Sequence, residues 1–250
     1  KPDITGNGTS VTSTNSTSDS STTTMSGTSM ASPNVAGTLL LLQQHYKNVT
    51  NSFMKAATLK GLACHTADDA GNIGPDPIFG WGLLNAKFAA QTLANNGLNS
   101  WISEETLIQS ATFTKTVVAT GLDPLIASIT WTDVPGEANN GDRPVNDPTP
   151  ALVNDLDIRI TKDGITYYPW RLQSNPALSA TRNSDNNVDN VEIIKIDFPT
   201  PGEYEITVSH KGTLVSNQQD YSLVITGITS DFSLTSKSDD LILCDTEDAV

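Results

Sequence analysis

Basic side chains are scarce in this sequence of 250 residues, which contains 14 Lys and Arg against 28 Asp and Glu. The formal net charge of -14 leaves no basic surface for the phosphate backbone of a nucleic acid or for an anionic lipid surface. The sequence also lacks an uninterrupted apolar run near the roughly 20 residues that a transmembrane helix requires. We therefore expect neither nucleic acid nor a membrane among the partners of this chain.

Cysteine and histidine are also scarce, with two and three copies. Cys64 lies in an apolar stretch, which predicts a buried free thiol, whereas Cys244 lies in a polar, acidic tail. The histidines, His45, His65 and His210, occur in unrelated surroundings. Because a lone histidine without positioned partners is a weak catalytic signal, we expect surface or helix-end roles for all three.

The first hundred residues show helical periodicity. Apolar residues crowd nearly every side of a helix over residues 29–46, which predicts a central buried helix. Two further helices are predicted over 51–64 and 85–95. Residues 9–24 have no periodicity and are rich in Ser and Thr, which indicates an exposed loop. This pattern is typical of the helical end of an α/β domain.

After Trp101 the period changes to two, which predicts an all-β unit of the β-sandwich class. The predicted strands cover residues 111–120, 125–133, 152–161, 191–198, 204–209 and 221–226. Apolar residues alternate with polar ones in several of them, so we expect one buried and one wet face. At roughly 125 residues, this unit is large enough to bury its own core and to fold independently.

A dense motif precedes the first helix, where residues 26–37 read Ser-Gly-Thr-Ser-Met-Ala-Ser-Pro-Asn-Val-Ala-Gly. It places the Ser29 hydroxyl at a helix start, where unpaired backbone N–H groups and a partial positive charge would stabilise an oxyanion. This arrangement suits acyl transfer by a serine nucleophile. The alternative is that Ser or Thr simply caps the helix.

The stretch from Gly27 to Pro33 resembles the active-serine motif of the subtilisin-like serine proteases, or subtilases, at every fixed position of Gly-Thr-Ser-Met-Ala-x-Pro. Lys-Pro-Asp-Ile at 1–4 and Gly-Trp-Gly-Leu-Leu-Asn at 80–85 resemble further subtilase segments in the same order. The sequence departs from the family at 6–8, where Ala-Pro-Gly is usual, and at Asn34, where many members have His. The resemblance covers residues 1 to about 98.

The resemblance implies a secreted serine endopeptidase that cleaves polypeptide substrates and needs no cofactor for catalysis. Ser29 would be the nucleophile, and Thr28 and Gly27 would support the oxyanion site. The activating His and Asp precede the serine in this family, so we expect them upstream of Lys1, in a missing N-terminal part of the catalytic domain, and we expect the isolated chain to be inactive. The alternative is a non-catalytic binding or stabilising module with a degenerate protease portion.

The β-rich region resembles the jelly-roll domain that follows the catalytic domain in some alkaline subtilases, through residues 152–157 and 187–191. Such domains often bind structural calcium, and Asp155, Asp157 and Asp189 are the candidate ligands. Asp155 and Asp157 project from one strand face, where two carboxylates repel unless they are solvated or bridged by a hard cation. A solvated acidic face is the alternative.

These patterns divide the chain into three parts. Residues 1–98 are predicted to form the C-terminal part of a subtilisin-like α/β peptidase domain with a parallel sheet. Residues 99–228 are predicted to form the jelly-roll β-sandwich, and 229–250 a linker or the start of a further domain.

The aromatic residues of the second part allow two interpretations. Trp131, Tyr167, Tyr168 and Trp170 would form a sugar-binding platform if they were exposed. They would be ordinary core residues if they faced the interior of the sandwich.

Overall fold

The computed structural model describes residues 2–138, 141, 147 and 149–229. Three helices, α1 (Thr28–Thr50), α2 (Ala56–His65) and α3 (Ala86–Ala94), match the three predicted ones. The strands are β1 (Val11–Thr14), β2 (Thr22–Met25), β3 (Ser100–Ile108), β4 (Phe113–Ala119), β5 (Leu125–Trp131), β6 (Asp155–Lys162), β7 (Ile165–Tyr167), β8 (Val191–Ile196), β9 (Gly202–Lys211), β10 (Gln218–Thr226) and β11 (Ile228–Thr229). Of the tail predicted over 229–250, residues 230–250 lie outside the described residues, and Cys244 is among them.

The strands after residue 99 form two antiparallel sheets, in the orders β3-β10-β5-β8 and β11-β4-β9-β6-β7. One apolar core lies between them and takes side chains from both, including Trp131 and Leu223 from the first sheet and Ile158 and Ile206 from the second. Each of the six predicted strands overlaps an observed one, and two sheets on either side of one core are consistent with the predicted β-sandwich class. The jelly-roll connectivity stays a prediction.

The second face of the four-stranded sheet is also buried, which corrects the expectation of one wet face. On β10, Ser222 and Val224 are each 1% exposed, although they point away from the sandwich core. Helix α2 covers this face, and Leu62 of the helix shares an apolar cluster with Val224. The sequence pattern of β10 did not indicate that its second face is covered, because small polar side chains can pack against a helix as well as face water.

Helix α1 is not the central buried helix that its apolar sequence predicts. Leu42 is its buried residue, whereas Leu40 and Leu41 are 70% and 71% exposed. Among the described residues α1 packs on α2 and α3 along one stripe only, through the cluster that contains Leu42, Leu62 and Leu93. Leu39 and Tyr46 pack against this cluster, whereas Leu40 and Leu41 face outward in this structure.

The segment 9–24, predicted as an exposed loop, is exposed but forms a β-hairpin. Strands β1 and β2 pair antiparallel, with Val11 opposite Met25 and Thr14 opposite Thr22. Thr has a high strand propensity, so a Ser- and Thr-rich stretch can form a hairpin without an apolar alternation. The loop prediction was wrong for this reason.

The named strands of the described residues all pair antiparallel. A parallel pairing within residues 1–98 occurs as an isolated bridge between Thr5 and Leu83. The α/β character of the first part therefore stays a prediction.

Candidate active site

The turn before α1 depends on the backbone conformation and hydrogen bonds of Gly27. Gly27 has φ +156°, a value that residues with a side chain rarely adopt, and its N–H donates to the carbonyl of Gly8 at 2.8 Å. The Gly27 carbonyl accepts from the N–H groups of Met30 and Ala31 at 3.0 and 3.2 Å. The turn therefore satisfies the third and fourth N–H groups of the helix and leaves the first two for another acceptor.

Ser29 is the second residue of α1, and it is exposed. Among the described residues, no acceptor is bonded to the backbone N–H groups of Thr28 and Ser29. No side chain caps this helix start either, which disfavours the interpretation of the motif as a simple N-cap. A hydroxyl thus lies beside two free N–H donors at the positive end of a helix of 23 residues.

Two segments that are far apart in the sequence, around residues 2–5 and 80–84, are bonded to each other. The N–H of Trp81 donates to the Asp3 carbonyl at 3.0 Å, and Thr5 exchanges hydrogen bonds of 2.9 Å with Gly82 and Leu84. Gly80 is needed there, because a Cβ on it would lie 2.2 Å from the carbonyl oxygen of Pro2. Residues 2–5 and 80–84, which belong to segments that are far apart in the sequence, are therefore neighbours in space.

An open groove of about 580 Å³ runs beside the start of α1. Its walls come from the segment after Pro2 and from the first two turns of the helix. The lining residues are Pro2, Ile4, Thr5, Gly6, Gly8, Thr9, Gly27, Thr28, Ala31, Ser32, Val35 and Ile78. Small residues dominate this surface, so an extended chain could approach the helix start closely.

The three histidines lie away from Ser29. His45 is 16 residues further along α1, about 24 Å at 1.5 Å per residue. His210 accepts a hydrogen bond at Nε2 from the N–H of Ser110 at 2.7 Å. His65 is the last residue of α2, so the predicted helix-end position is confirmed, and its side chain is only 4% exposed.

His65 joins α2 to the sandwich. Its Nδ1 lies 2.8 Å from Oγ of Ser128, and its Nε2 lies 2.9 Å from Oγ1 of Thr226. Burial lowers the pKa of His65 to about 3, so the ring is neutral at physiological pH. With both nitrogens bonded, this ring has no free position with which to activate a serine.

Two of the three candidate calcium ligands, Asp155 and Asp157, form ion pairs with Lys211. Lys211 Nζ lies 2.7 Å from Oδ1 of Asp157 and 3.6 Å from Oδ2 of Asp155. Asp189 lies in the loop before β8, where its Oδ2 accepts from Nδ2 of Asn186 at 3.1 Å. Within the described ranges, no group of three His, Cys, Asp or Glu side chains is placed to hold a metal ion. Calcium binding stays a prediction.

Sequence reasoning missed Glu192, a buried acid between the sheets. It is 0% exposed on β8, and its Oε2 accepts from the N–H of Ile158 on β6 at 2.9 Å. Burial raises its pKa well above the ordinary value, opposed by this hydrogen bond and assisted by the charge of Asp157. A single acid in the apolar stretch Val-Glu-Ile-Ile at 191–194 was the signal that could have found it.

Trp131, Trp170 and Tyr167 belong to the apolar clusters of the core rather than to an exposed sugar platform. Trp131 is 1% and Trp170 is 8% exposed. Tyr167 packs against the sandwich core, and the guanidinium of Arg159 lies 4.8 Å from the ring centre of Tyr168. The burial predicted for the thiol of Cys64 is confirmed.

None of the helices in the described part of the chain is both long and apolar enough to cross a membrane.

About half of this chain is similar, at low identity, to several solved structures. The crystal structure of Aeromonas hydrophila PliG, a periplasmic lysozyme inhibitor of g-type lysozyme, is 16% identical, and the match covers 52% of this chain and 87% of that chain with a TM-score of 0.25. The Yersinia pseudotuberculosis-derived mitogen (YPM) is 14% identical, with 56% and 92% covered and a TM-score of 0.27. The search of curated proteins found no match.

A family model matches the part of the chain that contains Ser29, its turn and the groove. That model is Peptidase_S8, the subtilase family, and it matches residues 1–82. The match supports a subtilase-like serine protease origin for this part of the chain.

Proposed function

We propose that this chain carries the nucleophile of a secreted, subtilisin-like serine endopeptidase, and that Ser29 is this nucleophile. One observation carries the proposal: the exposed hydroxyl of Ser29 lies beside two backbone N–H groups, of Thr28 and Ser29, that have no acceptor among the described residues. The family match over residues 1–82 supports the same reaction. Polypeptides are the proposed substrates, since the groove is open and lined by small residues.

In the proposed reaction, Oγ of Ser29 attacks the carbonyl carbon of a peptide bond and passes its proton to a histidine. The tetrahedral oxyanion accepts hydrogen bonds from the free N–H groups at the start of α1. The C–N bond then breaks, the amine leaves with the proton from the histidine, and water hydrolyses the remaining ester. The reaction balances without a cofactor.

The histidine and the aspartate of this triad are proposed to come from a segment that precedes Lys1. The positions of the three histidines support this proposal, because His65 and His210 use their ring nitrogens elsewhere and His45 lies far along α1. The outward apolar side chains Leu40 and Leu41 would pack against that same segment. The chain alone should therefore lack hydrolytic activity.

The sandwich is proposed to stabilise the peptidase part. Specific contacts favour this role, since Thr58 of α2 lies 2.8 Å from Oγ of Ser222 and His65 bonds Ser128 and Thr226. A purely non-catalytic module remains the second candidate. Replaced His and Asp motifs in the segment before Lys1 would favour it.

Substitution of the proposed nucleophile tests the function. In the protein that includes the preceding segment, we expect Ser29→Ala to reduce casein hydrolysis by at least about 10³-fold, because an alanine cannot form the acyl-enzyme. Ser52→Ala is the matched control, since Ser52 is an exposed serine that follows α1 and does not line the groove. Equal activity of both variants would refute the proposal.

A labelling experiment tests the need for the absent partners. The chain of residues 1–250 should react slowly with a fluorophosphonate, because nothing in its described part removes the proton of Ser29. The longer protein should be labelled rapidly, and at Ser29. Fast labelling of the shorter chain at this position would contradict the assignment of the triad.

A further inference from the structure

The dipeptide Asn-Gly occurs at residues 7–8, 96–97 and 140–141 of the sequence. In such a pair the backbone nitrogen of the glycine can attack the side-chain amide carbon of the asparagine, because a glycine has no Cβ to hinder the approach. Asparagine is one of the thermolabile residues of proteins. Asn140 lies outside the described residues, so the structure allows a comparison of the first two pairs.

The pair at 7–8 has both reacting groups available. Asn7 is exposed, and among the described residues the N–H of Gly8 has no hydrogen-bond acceptor. The side chain of Asn7 forms a turn with the peptide that follows it, since its Oδ1 accepts from the N–H of Thr9 at 3.1 Å. This hydrogen bond also withdraws electron density from the amide and makes Cγ more electrophilic. The attacking nitrogen and its target carbon therefore belong to one small turn.

The pair at 96–97 is held by hydrogen bonds at both reacting groups. The N–H of Gly97 donates to the carbonyl of Ser100 at 2.8 Å, and Oδ1 of Asn96 accepts from the N–H of Ile102 at 2.8 Å. Asn96 is exposed like Asn7, so the two pairs differ in hydrogen bonding rather than in access to water. The bond of Gly97 must open before its nitrogen can attack, which costs free energy and slows the reaction.

We propose that Asn7 is a site of spontaneous deamidation. The Gly8 nitrogen loses its proton and forms a bond to Cγ of Asn7, the C–N bond of the side-chain amide breaks, and ammonia leaves a succinimide ring. Water then opens this ring at either of its two carbonyl groups. The product is an aspartate or an isoaspartate, in which the main chain runs through the former side-chain carbon. The reaction consumes one water and releases one ammonia, so it needs no enzyme and no oxidant.

An isoaspartate at position 7 lengthens the main chain by one carbon atom where the backbone is tightly packed. The Gly8 carbonyl accepts from the N–H of Gly27 at 2.8 Å, in the turn that precedes Ser29. Even a Cβ on Gly8 would lie 2.5 Å from the carbonyl oxygen of Gly27 and 2.9 Å from Cβ of Ala31. The additional atom therefore displaces either this segment or the turn. The resulting loss of peptidase activity rests on the proposed function, whereas the deamidation does not.

Peptide mapping of the 250-residue chain tests the deamidation itself. After incubation at alkaline pH, which favours loss of the Gly8 proton, mass spectrometry should find deamidation at Asn7 at least about tenfold faster than at Asn96, because the hydrogen bond of Gly97 must first open. Chromatography separates the aspartate and isoaspartate forms of each peptide. In concentrated urea, where neither pair is held by the fold, the two rates should become similar.

Two results of this mapping would overturn the proposal. The first is a rate at Asn7 that is no higher than the rate at Asn96 in the folded chain. The second is an unchanged preference for Asn7 in urea, which would assign the difference to the neighbouring sequence rather than to the hydrogen bonds of the fold.

An activity measurement tests the effect on the active-site turn in the protein that includes the segment before Lys1. Under the same incubation, hydrolysis of casein should fall in parallel with the appearance of isoaspartate at position 7. Asn7→Ser is the matched control, because it cannot form a succinimide, although it undergoes the same self-digestion. It should keep its activity, and equal losses by the two proteins would refute the effect on the turn.

The variant Asn7→Asp separates the added charge from the lengthened main chain. When freshly prepared it carries the charge alone, so its activity should be close to that of the native protein. A large initial loss would assign the effect to charge and would contradict the role of the additional carbon atom. If the fresh native protein itself did not hydrolyse casein, the proposed function would fail, and the mapping result at Asn7 would stand independently.

Discussion

At the scale of single residues, Glu192 is the least expected feature of the sandwich. It joins the two sheets through the N–H of Ile158, while its other oxygen has no partner within the described residues. A charged carboxylate in this position would be costly, and a neutral one is compatible with burial. The acid is therefore a source of pH dependence in the stability of the fold.

We expect Glu192→Gln to remove this pH dependence. The folded pKa lies above the ordinary value of 4.5, so the stability that Glu192 contributes is complete below pH 4.5 and is lost as the pH rises toward the folded pKa. The native chain should lose up to about 1.4 kcal/mol of unfolding free energy per pH unit in this window relative to the variant. Gln can still accept the hydrogen bond from Ile158.

Urea unfolding of both chains at pH 5 and pH 7 measures the difference. The unfolding free energy of the variant should increase relative to that of the native chain as the pH rises. The exposed Glu203→Gln substitution on β9 is the control and should change neither slope. Parallel pH profiles of the native chain and Glu192→Gln would show that the buried acid does not titrate in this range.

At the scale of elements, the contact between α2 and the four-stranded sheet decides the architecture. The helix lies so close to β5 that a Cβ on Gly61 would be 2.6 Å from Oγ1 of Thr130. At the start of the helix, Oε1 of Glu104 on β3 accepts from the N–H of Lys55 at 2.8 Å and from Thr58. A strand thus caps a helix of the preceding segment, and the end of that helix is fixed by His65.

Two helical glycines allow a paired test of this contact. Gly61→Ala should destabilise the chain by about 1–3 kcal/mol, because the added methyl group overlaps with Thr130. Gly37→Ala in α1 meets nothing within 4 Å, so it should be neutral or stabilise by up to about 1 kcal/mol. Urea midpoints of the two variants measure the contrast, and equal effects would argue against close packing of α2.

At the scale of the whole molecule, residues before position 98 and residues after it pack together in shared apolar clusters. Leu62 is fully buried in a cluster that contains Val224 of β10. Cys64 and Trp81 share another cluster with Trp170 and Ile193. A boundary at residue 98 would therefore cut through two packed clusters, although the β-rich region has a core of its own.

Two truncated chains test this coupling. We expect residues 99–229 to be less stable than residues 52–229 by at least about 3 kcal/mol, because loss of α2 exposes Val224 and leaves polar groups of the sheet without partners. Urea unfolding and binding of a hydrophobic dye measure the difference. Equal stability of the two chains would support the division at residue 98 that the sequence predicts.

The sequence by itself determined the position of Ser29 at a helix start, the three helices and six of the strands, because these depend on local periodicity, on glycine turns and on a motif whose residues are contiguous. Only the tertiary structure decided which faces are covered and which charges meet. The wet face predicted for β10 is buried by α2, and Asp155 and Asp157 meet Lys211, which lies more than 50 residues away in the chain. Such pairings depend on strand register across the sheets, and no local pattern in a single sequence contains that register.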